Sequence, residues 1–264
     1  MSARNLPEMR SPTTGAPFAI FQNGRPHWTG KVELIESKLT EPIRWRKPGK
    51  IFVNSMSDLW HENLTPYARA RVYATMAYCQ WHTYLVLTKR ALLRRVEMET
   101  GEFEADVRVE LGKLLERFGP PPHAKPFRWP LPNVWEGASV EDEDTAQRRI
   151  SNLISTPAAV RWISYEPALQ WVDLERWLEW LDWAVIGGES GTHARPFHVD
   201  WARWTIEIFK RAHRPLFVKQ VGYRPVWNFP NLCEREVARL KDTAGADMAE
   251  WPPDLRVREY PKAA

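Results

Sequence analysis

Short apolar, β-branched runs alternate with amphipathic stretches along most of this chain. Residues 51–54 (IFVN), 83–87 (TYLVL), 133–140 (NVWEGASV), 160–164 (VRWIS), 183–186 (WAVI) and 216–219 (LFVK) read as strands. Residues 65–79, 143–154 and 199–212 read as helices, the first with Thr65 as N-cap and Pro66 in its first turn. Strands separated by helices predict parallel βαβ units, and near-continuous apolar strands predict burial on both faces. Six strands are visible. Eight would complete a (β/α)8 barrel, and an open doubly wound sheet would show the same alternation. Residues 91–118 read as helical with a break at Thr100-Gly101, and run into the GPPPH stretch at 119–123. Residues 222–264 read as a polar, Pro-rich tail, in which 251–260 (WPPDLRVREY) carries an alternating piece suited to dock on the core.

A length of 264 residues suits one large domain. The reading is a single (β/α)-barrel domain over 1–264, with a helical insertion near 91–123 and a polar tail near 222–264. The two cysteines, Cys79 and Cys233, make no disulfide framework. The first residues are polar and no apolar run approaches the length of a membrane span, so the expectation is a soluble, cytoplasmic protein with no membrane partner. A net charge of +4 permits an anionic partner, whether nucleic acid or a phosphorylated substrate, without requiring one. The 15 tryptophans suit core packing better than base stacking.

In parallel α/β folds ligands bind at the carboxyl ends of the strands. Those ends carry Asn54-Ser55-Met56-Ser57-Asp58, Thr88-Lys89-Arg90, Glu141-Asp142, Tyr165-Glu166-Pro167, Gly187-Gly188-Glu189-Ser190-Gly191, and Lys219 with Gln220. Helix N-caps explain the Asp, Ser and Asn among them, but not Lys89, Arg90, Glu166 or Glu189. The Gly187-Gly188 stretch is either a tight turn or a close approach of backbone to ligand. It misses a nucleophile elbow, because Thr192 stands where the final glycine belongs. His193 and His198 lack metal-ligand spacing, and neither a Walker A motif nor a dinucleotide fingerprint is present. Arg44-Trp45-Arg46-Lys47 mixes charge and an aromatic as nucleic-acid surfaces do, although a solvated lead-in to a strand explains it more simply.

Taken as an ordered set, 41–62 (EPIRWRKPGKIFVNSMSDLWHE), Thr88-Lys89-Arg90, 129–142 (WPLPNVWEGASVED), 156–167 (TPAAVRWISYEP), 183–196 (WAVIGGESGTHARP) and Val218-Lys219-Gln220 resemble an uncharacterised family carried by phages and prophages. Its members look like radical S-adenosylmethionine enzymes, and the resemblance spans about 28–260. It implies a parallel barrel of TIM or radical-SAM type, incomplete at its N-terminal strand, and so favours the barrel over the open sheet. The family pattern also has a cysteine cluster ending C-x-x-C-Y, which would hold a [4Fe–4S] centre whose open iron site binds S-adenosylmethionine. Here Met1-Ser2-Ala3-Arg4 resembles the segment just beyond that cluster, and Cys79 and Cys233 are two isolated thiols. Either the coding region starts further upstream and this chain is a shortened enzyme, or the cluster is lost and the barrel binds or scaffolds.

The resemblance implies roles residue by residue. Asn54, Ser55, Ser57 and Asp58 would receive the amino group of S-adenosylmethionine. Ser139 and Glu141 would contact its ribose, and Gly187, Gly188 and Ser190 would close the site with Glu166. Lys89, Arg195 and Lys219 would suit an anionic substrate or the cofactor carboxylate. Catalytic roles would fall to Lys89, Glu166, Glu189 and Lys219. Three functions compete: a radical-SAM-like enzyme of unknown substrate acting on a nucleotide or nucleic acid, a non-catalytic binding or partner subunit, and a nucleic-acid-binding protein.

Overall fold

The computed structural model describes residues 10–23, 25–122, 124–228, 235–237 and 240–262; the calls on Met1 to Arg4, His123 and Cys233 lie outside them. In chain order the first elements are β1 (Ala19–Gln22), β2 (Arg25–Trp28), α1 (Glu36–Leu39), α2 (Glu41–Arg44), β3 (Lys50–Val53), α3 (Pro66–Tyr78) and β4 (Thr83–Thr88). Next come α4 (Ala91–Glu99), α5 (Glu102–Phe118), β5 (Val134–Val140), α6 (Glu143–Ser155), β6 (Val160–Tyr165) and β7 (Trp183–Gly187). The last are β8 (Phe197–His198), α7 (Val199–Arg211), β9 (Leu216–Gln220), β10 (Pro225–Asn228) and β11 (Arg235–Val237).

Local chemistry sets the boundaries. The Thr65 hydroxyl accepts the Ala68 amide at 3.2 Å, and Pro66 opens α3 where its missing N–H costs nothing. Gly101, at φ 75°, separates α4 from α5 in a conformation that most side chains resist. Asp142 and Thr145 form a reciprocal capping box that starts α6 directly after β5.

Strands β3, β4, β5, β6, β7 and β9 form one sheet in that order, each neighbouring pair parallel. A doubly wound sheet would reverse its order at a switch point. This one does not, so the open-sheet alternative fails. Side chains alternate across the strands. Val86, Ala138, Val140, Ile163, Ala184, Ile186 and Val218 point to the face covered by the helices. Leu85, Trp135, Trp162, Trp183 and Val185 point to the other, where they pack on Leu87 and Phe217.

The sheet curls around this second face. Phe52 on β3 meets Trp162 on β6 edge to face with ring centroids 6.4 Å apart. Three strand spacings on a flat sheet would hold their backbones roughly 14 Å apart. The architecture is therefore α/β with a six-stranded parallel half-barrel, short of the eight strands a closed TIM barrel needs. Among the described residues no strand pairs with the outer edge of β3.

The C-terminal segment completes the structure. Trp251 and Leu255 enter the core, Arg258 bridges Phe217 antiparallel, and the Glu259 amide donates to Leu216 O at 2.8 Å. Residues 251–260 thus dock along β9 as the alternation predicts. The rest of 222–264 is not simply an irregular tail, because β10 pairs with β8 in parallel and with β11 antiparallel.

Candidate functional site at the carboxyl mouth of the half-barrel

The concave face changes character along the strands. Near the amino ends it is floored by Trp135, Trp162 and Trp183. One step above this floor, Ser139 on β5 and Ser164 on β6 sit opposite each other in register. Their strand neighbours Ala138, Val140, Ile163 and Tyr165 face the helices, so alternation turns both serines into the concavity. Each residue is only 6 % exposed, and its hydroxyl, which has no hydrogen-bond partner among the described residues, keeps some access to solvent. Two neighbouring hydroxyls that no other side chain engages are open to a ligand's polar groups or to water.

Above the serines, lysine–glutamate pairs bracket the mouth. Lys219 on β9 donates to both carboxylate oxygens of Glu166, at 2.8 and 2.9 Å. It does so across β7, where Gly187 leaves the path clear; a Cβ there would lie 3.5 Å from Glu166 Cγ and 3.2 Å from Gln220 O. Lys89 lies 2.7 Å from Glu141, which also accepts from Arg149 at 2.7 Å. In both pairs the lysine is half exposed, at 58 % and 52 %, whereas the glutamates retain only 10 % and 15 %. The lysine of each pair is thus reachable from solvent, whereas its glutamate depends on the pair for much of its compensation.

The other expected residues are engaged elsewhere. Asp58 accepts from the Trp60 and Lys89 amides, the Thr88 hydroxyl and Arg90 Nη1, and so ties the loop after β3 to the end of β4. Asn54 turns the chain at φ 58°, a left-handed conformation that asparagine tolerates, and Ser55 and Ser57 are exposed. Glu189 takes Arg195 through side chain and backbone, and the bonded guanidinium holds its carboxyl below the usual range. Ser190 is exposed beside it.

Gly188 and Gly222 serve backbone packing. A Cβ on Gly188 would sit 2.6 Å from Val221 O, and one on Gly222 2.7 Å from Glu189 O. The Gly188 amide donates to Gln220 O at 3.0 Å and the Tyr223 amide to Glu189 O at 2.9 Å. The backbone at Gly188 and Glu189 is thus packed against the loop after β9.

Sequence reasoning singled out Ser139 but passed over Ser164, which lies inside a strand, VRWISY, read as structural. Alternation from Ile163 and Tyr165 is the signal that would have found it. None of the three expected cations, Lys89, Arg195 and Lys219, is free to take an anion without losing a glutamate.

The chain does not fit an iron–sulfur cluster. It has two cysteines in all, and such a centre needs clustered thiolates. Cys79 is fully buried at the end of α3, and burial pushes its thiol up to about 12. Among the described residues no group of three or more His, Cys, Asp or Glu is arranged to hold a metal, and no helix is long and apolar enough to cross a membrane.

No curated protein and no solved structure matches the chain. A family model described as a protein of unknown function (DUF5131) matches residues 2–250, and the chain therefore belongs to the DUF5131 family.

Proposed function

We propose that this chain is the ligand-binding barrel of a radical-SAM-like, phage-type protein, and that its mouth takes S-adenosylmethionine or a related nucleoside. The observation that carries the reading is the pair of adjacent, unpartnered hydroxyls of Ser139 and Ser164 at the base of the mouth, set between the Lys89–Glu141 and Lys219–Glu166 pairs. Hydroxyls and carboxylates at this depth suit the donors and acceptors of a ribose, and the strand ends are where α/β sheets bind such ligands. Sequential parallel strand order fits the radical-SAM architecture. Radical chemistry would need a [4Fe–4S] cluster on thiolates that this chain does not supply, so no step through it follows from these residues.

The test is isothermal titration of the purified chain with S-adenosylmethionine and S-adenosylhomocysteine. One-to-one binding is expected, weakened about tenfold or more when Ser139 and Ser164 are both replaced by alanine. Absence of binding to either ligand overturns the reading. For the enzymatic form of the proposal, the in-frame coding DNA before Met1 is read back to the preceding stop codon. A cysteine cluster there supports a shortened radical enzyme, and a stop without one leaves a binding subunit.

A further inference from the structure

We infer that the amino-end rim of the sheet, opposite the mouth, binds single-stranded nucleic acid, with Trp45 as the stacking platform for a base and a band of uncompensated lysines and arginines along the phosphates. The inference is independent of the nucleoside reading of the mouth.

The segments that lead into β3 and β5, residues 44–50 and 119–133, carry Arg44, Arg46, Lys47, Lys50, Lys125 and Arg128 and no aspartate or glutamate. The segment between them in the sheet, 79–82 before β4, has no carboxylate either. Backbone bonds hold the three side by side: the Thr83 amide donates to Gly49 O at 3.0 Å and the Tyr84 amide to Asn133 O at 2.8 Å. Side chains tie them further. Trp81 Nε1 donates to Trp45 O at 2.8 Å, and Gln80 exchanges two hydrogen bonds of 3.1 Å with the Lys125 backbone. All six cations are exposed, and none forms an ion pair among the described residues. The nearest glutamate in sequence, Glu41, is taken by Lys38. The mouth, roughly 20 Å away along β4, is the opposite case, because Lys89, Arg90, Arg195 and Lys219 each have a carboxylate there. Neighbouring like charges repel, and a polyanion relieves that repulsion.

Charge alone would suit any polyanion, and Trp45 narrows the class. Its indole is 46 % exposed in the middle of the basic run. An edge contact with His82, with ring centroids 6.1 Å apart and planes at 74°, and the Trp81 bond to its carbonyl fix where it stands. A positioned aromatic among phosphate-binding cations is the arrangement on which unpaired bases stack. A duplex hides its base faces, so a single strand is the form that uses both features.

The experiment is fluorescence anisotropy of the full chain with a labelled oligo-dT of about 20 nucleotides, longer than one such site. Binding should weaken with salt, with a log–log slope of about −2 to −4 for three to six phosphate contacts. Trp45→Ala should lower affinity about fivefold or more at unchanged slope, and Trp45→Phe should keep most of it. Replacing Arg44, Arg46 and Lys47 together by glutamine should make the slope shallower by about 2. Arg148→Gln and Arg211→Gln, at exposed cations paired elsewhere, should change nothing. Each variant is first shown to unfold in urea like the unmodified chain. No binding at about 50 mM salt overturns the inference, as does binding that the triple variant leaves unaltered. A duplex or poly-glutamate bound as tightly as oligo-dT, or a Trp45→Ala variant without effect, would mark a general anion surface and overturns the single-strand assignment.

Discussion

The ammonium of Lys50, the first residue of β3, lies 4.3 Å from the ring centroid of Tyr260, which is packed on β9. These two residues join the opposite edges of the half-barrel at its amino end. Tyr260 also meets Trp183 and Phe217, with ring centroids 5.3 Å away in each case. The segment that follows the sheet therefore closes the gap that further strands would fill in a complete barrel.

Replacing Tyr260 by alanine removes the cation–π contact and both ring contacts. A loss of about 1–3 kcal/mol in urea unfolding is expected. Lys50→Met removes the cation–π contact alone and should cost less, about 0.5–1 kcal/mol. A neutral Tyr260→Ala would show that this contact does not hold the edges together.

Gly137 makes the Trp floor fit. A Cβ there would lie 2.4 Å from Trp162 Cε2, and the indole cannot retreat, because it is buried and its Nε1 donates to Trp135 O at 3.1 Å. Gly137→Ala is expected to destabilise by about 1–3 kcal/mol through overpacking, with a change in tryptophan fluorescence. Gly49→Ala, where nothing lies within 4 Å, is the matched control and should stay within about 0.5 kcal/mol. If the two variants unfold at the same urea concentration, the floor is not tightly packed.

The sequence made the strand–helix alternation legible because the strands are buried on both faces and the helices carry clear caps. Thr65-Pro66, Thr100-Gly101 and the docking of Trp251 and Leu255 all follow from residue chemistry that acts locally or through simple burial. The β1–β2 hairpin is not among the elements predicted by alternation, although Asn23, at φ 52°, precedes Gly24 in an Asn-Gly pair of the kind that favours such turns. Curvature was not legible, since it depends on contacts such as Phe52–Trp162 between residues far apart in sequence. The partners of the rim charges were equally hidden: Lys219 and Glu166 are 53 residues apart. Composition named the ionisable groups of the mouth, but only the register of β6, β7 and β9 paired them.

Behind the sheet, Arg94 and Glu136 form an ion pair with essentially no exposure. Arg94 Nη1 donates to Glu136 at 3.1 Å and to Gly137 O at 2.8 Å, and the Tyr73 hydroxyl donates to the other Glu136 oxygen at 2.6 Å. Arg94 Nε and Nη2 are buried with no hydrogen-bond partner among the described residues, so the pair is imperfectly satisfied. Burial pushes the Glu136 carboxyl above its usual range, while Arg94 and Tyr73 pull it back. Arg94→Met leaves that carboxylate uncompensated and should cost about 3–5 kcal/mol near neutral pH. Adding Glu136→Gln removes the stranded charge, so the double variant should lose less than the sum of the single losses. The sign of the pH dependence follows from the raised carboxyl. A group whose folded value lies above its unfolded value contributes its stability fully below the unfolded value, near 4.5 here, and loses it as pH rises through the folded value. Without Arg94 the folded value rises further. The Arg94→Met deficit should therefore be smaller at about pH 4 than at about pH 8. Urea unfolding of the wild type and the three variants across that range checks it. A deficit independent of pH would mean that lost packing, not a stranded carboxylate, is what the substitution costs.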